Sequence, residues 1–173
     1  MTIDLLPGRG VRLPAPLPEL PFGLGEDAVR RLLTPHAALL RGGVESPFVC
    51  GATWTLAFSL PGVGVLLYAG RAGDGRFSDV GVTRDPRDER PACPVGLHGV
   101  DVFGWPAHEV VEALRAGGLP VPDPEGGTLH HDTLRLSRNT PNARPLATGR
   151  KPRREPPFTF GSVSLGAAPP PPR

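Results

Sequence analysis

The sequence predicts an α+β protein of two pseudo-repeats, in each of which a short amphipathic helix packs on antiparallel strands. The first observation is a repeated stretch: residues 22–33 read FGLGEDAVRRLL and residues 103–114 read FGWPAHEVVEAL. Both begin with Phe-Gly and a large apolar residue, and both carry a Val seven and a Leu eleven residues after the Phe. The second observation is that segments with strand-like alternation follow both stretches.

The first repeated stretch is predicted to be a helix because its apolar residues recur with helical spacing. Val29, Leu32 and Leu33 form one stripe at i, i+3 and i+4. Glu26 lies in the first turn, where a carboxylate opposes the positive end of the helix dipole. Pro35 is expected to end the helix.

The second repeated stretch has the same stripe at Val110, Ala113 and Leu114. Pro106 suits a first helical position, and Gly117 suits the end of the helix. Each helix has only about two to four turns, so neither is expected to be stable without a sheet to pack on.

The predicted strands come after the helices. Residues 48–60 are rich in strand-forming residues, and from residue 54 to residue 60 large apolar side chains alternate with small ones, which is typical of a half-buried strand. A Pro-Gly turn follows, and residues 63–68 complete a hairpin. A third strand is predicted over residues 76–82. In the later part of the chain, we expect strands over residues 128–137 and 158–165.

The predicted domain organisation follows from these elements. Residues 1–84 form the first helix-plus-sheet half, and residues 95–166 form the second. The charged, proline-rich residues 85–94 are predicted to be the linker between them. Residues 167–173, AAPPPPR, are predicted to be a disordered tail.

Composition and charge exclude several classes of function. The net charge of +2 is near neutral and gives no strong electrostatic case for nucleic-acid binding. No run of about 18 apolar residues is present, so no membrane partner is expected. The start of the chain lacks a basic segment followed by an apolar run, which predicts a cytoplasmic protein. Cys50 and Cys93 are therefore predicted to be free, buried structural thiols.

His130, His131 and Asp132 form the densest group of metal-ligand residue types. On a strand, His130 and Asp132 would share one face. A metal site needs three or four converging ligands, and exposed histidines are the alternative interpretation. Neither a GxSxG nucleophile motif nor a GKS/T phosphate loop is present. We therefore expect no catalytic residue, no metal site and no cofactor.

The candidate binding residues are large aromatic and basic side chains, which commonly anchor protein partners. Trp105, at the start of the second helix, and Tyr68 are the aromatic candidates, with Arg76 as a basic one. Arg153 and Arg154 belong to a basic patch in a late loop, for which a solvated loop is the alternative.

One short motif resembles a known bacterial unit. Residues 7–10 read PGRG and precede FGLGEDAVRRLL, which is similar to the pattern PGxG…FGMxxxEVxxLLG of the BamE/SmpA-type fold. That fold has two helices against a small antiparallel sheet. A tandem of two such units is similar to the plan of the β-lactamase inhibitor protein family. The resemblance implies a non-catalytic binding scaffold, although Leu24 or Trp105 replaces the motif's Met and the Thr or Ser helix cap is absent.

The predicted function is therefore a non-catalytic protein-binding scaffold of the immunity or inhibitor type. Its partner would be another protein, bound through a sheet face or through the loops before the helices. Two alternatives remain. One is a small-ligand or metal-dependent pocket or enzyme that uses His130 and Asp132. The other is weak nucleic-acid binding through residues 150–154.

Overall fold

The computed structural model describes residues 2–70, 74–85, 93–138 and 158–167. Within these ranges, strands occupy 45% of the residues and helices 18%, so the fold is mainly β. The helices are α1 (Glu26–Leu33), a 3-10 helix (Thr34–Leu39) and α2 (Ala107–Ala116). The strands are β1 (Ile3–Leu6), β2 (Gly10–Arg12), β3 (Glu19–Pro21), β4 (Arg41–Glu45), β5 (Ala52–Leu60), β6 (Val63–Gly70), β7 (Asp79–Arg84), β8 (Val95–Leu97), β9 (Val100–Asp101), β10 (Thr128–His131), β11 (Leu134–Ser137) and β12 (Ser162–Gly166).

A five-stranded sheet has the order β3-β2-β1-β8-β9. Its central pair, β1 and β8, is parallel, with Ile3 opposite Val95 and Leu5 opposite Leu97. The flanking pairs are antiparallel hairpins, β1 with β2 and β8 with β9. This sheet therefore joins strands that are about ninety residues apart in the sequence.

A seven-stranded sheet has the order β10-β11-β12-β7-β6-β5-β4 and is antiparallel throughout. The last strand of the early part, β7, pairs with the last strand of the late part, β12, so that Val82 lies opposite Val163. The edge strand β4 pairs only at its ends, because Gly42 and Gly43 bulge outward with positive φ.

The prediction of an α+β fold built from helix-on-strand pseudo-repeats is wrong. Both sheets contain strands from residues 1–84 and from residues 95–166, so neither helix packs on a sheet made only of its own half. The physical reason is that alternation reports which side of a strand is buried but not which strand supplies its hydrogen bonds. The helices are also too short to cover sheets of this width.

Both sheets and both α-helices contribute side chains to one hydrophobic core cluster. Val29 and Leu33 of α1 are buried in it, as are Val110 and Leu114 of α2, so the predicted helices and most of their stripes are confirmed. Leu32, by contrast, is 39% exposed. No described helix has the length and the apolar character needed to traverse a bilayer.

Two further predictions concern particular segments. The strand predicted over residues 128–137 is in fact a hairpin, β10 and β11, because Asp132 adopts a left-handed turn conformation with φ of 50°. Most of the predicted linker, residues 86–92, and most of the predicted tail, residues 168–173, lie outside the described residues.

Candidate binding face of the seven-stranded sheet

The seven-stranded sheet packs one face on the core and leaves the other half-exposed. Along β6, Val63, Val65 and Leu67 are buried, whereas Leu66 and Tyr68 are half-exposed. Antiparallel sheets commonly have one covered and one solvated face. We call the half-exposed side the outer face.

Residues directly opposite each other in neighbouring strands share a face, so the strand register arranges the outer face into three rows. The first row comprises Arg41, Ser59, Gly64, Thr83, Ser162, Ser137 and Thr128. The second row comprises Glu45, Ala57, Leu66, Gly81, Ser164, Arg135 and His130. The third row comprises Thr55, Tyr68, Asp79 and Gly166. In this row Tyr68 and Asp79 are half-exposed, whereas Gly166 and Thr55 are buried, and the Thr55 hydroxyl donates a hydrogen bond to the Pro47 carbonyl oxygen. Most of these side chains are small.

At two positions of the outer face, Gly64 and Gly81, the backbone conformation does not require glycine. Neither has a positive φ. A Cβ at Gly81 would lie 3.9 Å from the Cβ of Leu66, and one at Gly64 would lie 4.0 Å from the carbonyl oxygen of Thr83, both ordinary contacts. Glycine in a strand interior destabilises by about 0.5–1 kcal/mol relative to alanine and often marks a place where another chain or ligand approaches closely.

The outer face is indented near β4. Two open depressions, of about 360 and 310 Å³, lie side by side and share Arg41, Ser59, Gly64 and Thr83 in their walls. This end of the face can therefore receive protruding side chains of a partner.

Some charged side chains of the surface pair within the chain and others do not. Arg12 and Arg30 each form an ion pair with a glutamate. Within the described part of the chain, neither Arg41 nor Arg135 makes such a pair, and Glu45 makes none either. Among the described residues, these three charges therefore have no ion-pair partner.

Tyr68, the aromatic candidate on β6, lies on the outer face. Burial raises the pKa of its phenol, and the nearby Asp79 carboxylate raises the pKa further, so the O–H is retained. The Asp79 carboxylate also accepts a hydrogen bond from the Ser78 hydroxyl at 2.6 Å.

The other predicted binding residues do not join Tyr68. Trp105 lies before α2 and is 47% exposed. Arg76 lies in the isolated bridge with Gly25 before α1, where it pairs with Asp74 at 2.7 Å. Arg153 and Arg154 lie outside the described residues. The described candidates are thus distributed over three separate elements.

The histidine group has a different geometry from the one predicted. His130 lies on β10, but Asp132 lies in the turn, where it contacts His131 at 3.6 Å. Searching the described residues for three or more His, Cys, Asp or Glu side chains that could hold a metal ion finds none. Both cysteines are free thiols; Cys93 is buried as predicted, whereas Cys50 is exposed.

Sequence reasoning missed Arg41, Glu45, Gly64, Gly81 and Arg135. One signal was available for the glycines, because each interrupts an alternating strand pattern at a position where a side chain is expected. The charged residues had no comparable signal, since only the strand register places Glu45 and Arg135 in one row.

Comparisons with known proteins add no assignment to this geometry. The chain matches no protein-family model, and no curated protein or solved structure matches it either. The resemblance to tandem BamE/SmpA-like units therefore stays a prediction.

Proposed function

We propose that the protein is a non-catalytic protein-binding scaffold, of the immunity or inhibitor type, and that its partner protein binds on the outer face. The observation that carries the proposal is the pair Gly64 and Gly81. Both weaken their strands, and neither is needed for a turn, a positive φ or internal packing. Their use is explained if a partner's backbone or side chain approaches the sheet closely at this point.

The surroundings of the glycines support the same function. Leu66 and Tyr68 stand beside them as an apolar and an aromatic contact, and Tyr is enriched at the centres of protein interfaces. Serine and threonine hydroxyls in the first row supply hydrogen bonds, either directly or through water.

A face-blocking substitution tests the proposal. Gly81→Arg adds a long charged side chain at the centre of the outer face, where the backbone accepts a Cβ. Ala116→Arg adds the same side chain at the exposed end of α2 and serves as the matched control. With each protein immobilised, we expect a specific partner from the source cell to be retained by the wild type and the control but reduced at least about tenfold on Gly81→Arg.

The interaction is then measured with the purified partner by calorimetry. Equal thermal unfolding of the two variants is required, so that a misfolded Gly81→Arg protein is not counted. If the partner binds Gly81→Arg with wild-type affinity, the outer face is not the binding site. A measured turnover activity with no stable partner would overturn the scaffold function itself.

A further inference from the structure

We infer that the outer face is self-complementary and that two copies of this chain associate through it as a reversible dimer. This goes beyond the proposed function, because the second copy occupies the same face that the partner protein uses. The dimer and the partner complex would therefore compete. The inference rests on where the register places charged and bulky side chains in each row.

Glu45 and Arg135 lie in the second row, on strands β4 and β11. The order β4-β5-β6-β7-β12-β11 places five inter-strand spacings between them, about 24 Å. The midpoint of this separation falls between β6 and β7. A twofold axis that runs parallel to the strands at this midline, above the face, brings Glu45 of each copy opposite Arg135 of the other.

The same axis matches the residues next to the midline. Leu66 and Gly81 are opposite each other across β6 and β7, so the leucine of one copy faces the glycine of the other, where no side chain obstructs it. Tyr68 and Asp79 form the adjacent pair in the third row. The phenol of one copy then faces the carboxylate of the other and can donate a hydrogen bond to it.

The charges favour a second copy over an acidic or a basic partner. Glu45 and Arg135 have opposite signs, and neither has an ion-pair partner within the described residues. An isologous interface uses each such pair twice, since residue i meets j and j meets i. Under the same axis Arg41 faces Ser137, so no like charges are opposed.

The size of the face sets the strength of the dimer. Six spacings across the strands and four residues along them cover about 29 by 14 Å, or roughly 400 Å² per copy. The total of roughly 800 Å² is smaller than the ~1,200–2,000 Å² of stable complexes. The dimer is therefore weak and concentration-dependent, and a tighter partner displaces it.

Charge exchange provides the test, read out by sedimentation velocity of the full chain from about 10 µM to 1 mM. Glu45→Arg carries Arg at both positions, and Arg135→Glu carries Glu at both. Each variant alone opposes like charges twice, so we expect its dimer to be weakened at least about tenfold. An equimolar mixture restores association as a heterodimer, because each Arg then meets a Glu.

Arg31→Glu, on the exposed surface of α1, is the control for the charge change and keeps the wild-type dimerisation constant. Thermal unfolding of all variants excludes loss of the fold. A wild type that stays monomeric up to 1 mM, or a mixture that fails to associate, overturns the inference. Neither result affects the capture experiment with Gly81→Arg and a heterologous partner, so the dimer and the proposed function fail separately.

Discussion

The chain approaches its two helices through the same dipeptide, Phe-Gly, but the two junctions are built differently. We call residues 22–25 the first junction and residues 103–106 the second. At the first, Gly23 has a φ of +90°, and apart from its chain neighbours no heavy atom of the described residues lies within 4 Å of the position its Cβ would take. At the second, a Cβ on Gly104 would lie 2.5 Å from Oδ2 of Asp101. One glycine is needed for its conformation and the other for its lack of a side chain.

The two phenylalanines differ as well. Phe22 is half-buried, and its ring centroid lies 5.0 Å from that of the fully buried Phe77. Phe103 is itself fully buried. Its backbone N–H donates to the Asp101 carboxylate at 3.1 Å. The phenylalanine ring of the dipeptide therefore lies at the edge of the core at the first junction and inside the core at the second. A short motif specifies a turn, and the elements around it decide the packing.

The largest change in the free energy of unfolding is expected from replacing the two phenylalanines. Phe103→Ala should lower the free energy of unfolding by about 3–5 kcal/mol, because a fully buried ring is lost and a cavity remains. Phe22→Ala should cost clearly less, since its ring is partly solvated. Urea unfolding of both variants gives the comparison. Equal losses would show that the junctions pack alike.

Replacing the two glycines is expected to change the free energy of unfolding by an intermediate amount, and it separates the two junctions more sharply. Gly104→Ala is expected to cost about 1–3 kcal/mol through the clash with Asp101. In the double variant with Asp101→Ala, this cost should largely disappear. Gly23→Ala is expected to cost about 1–2 kcal/mol from its left-handed backbone. Asp101→Ala should not change that value. A double-mutant cycle that is additive at Gly104 would contradict the steric explanation.

The smallest effect on the free energy of unfolding is expected from the ionisation of Cys93, which lies before β8 and close to the second junction. Burial raises the pKa of its thiol, a hydrogen bond with the Ile3 backbone partly lowers it, and the Asp101 charge adds a smaller increase. Because the pKa is higher in the folded state, the folded chain keeps a proton that the unfolded chain loses. The stabilisation is complete below the unfolded thiol pKa of about 8.5 and is lost as the pH rises through the folded value.

The matching measurement is the free energy of unfolding of wild type and Cys93→Ala between pH 7 and pH 10. The wild type should lose stability with rising pH more steeply than the variant. The comparison uses slopes, so the constant cost of the substitution does not matter. Parallel slopes would mean that the thiol ionises equally in both states.

Local structure was predictable to a useful degree. The helices were expected where α1 and α2 lie, and β5, β6, β7 and β12 overlap the predicted strands. The hairpin at Asp132 was missed because its turn uses a non-glycine residue with positive φ, for which the sequence carries no strong signal. Of the three predicted binding residues that the structure describes, Tyr68 lies on the outer face and Trp105 and Arg76 do not.

The amino-acid sequence by itself determined the two α-helices and the strands β5, β6, β7 and β12, and which side of each is apolar. These properties depend on residues within a few positions of each other. The tertiary structure alone decided that β1 pairs with β8 and β7 with β12. It also decided that Glu45 and Arg135 share a row. Such pairings join residues roughly eighty to ninety positions apart, and a backbone hydrogen bond carries no side-chain code that would reveal its partner in advance.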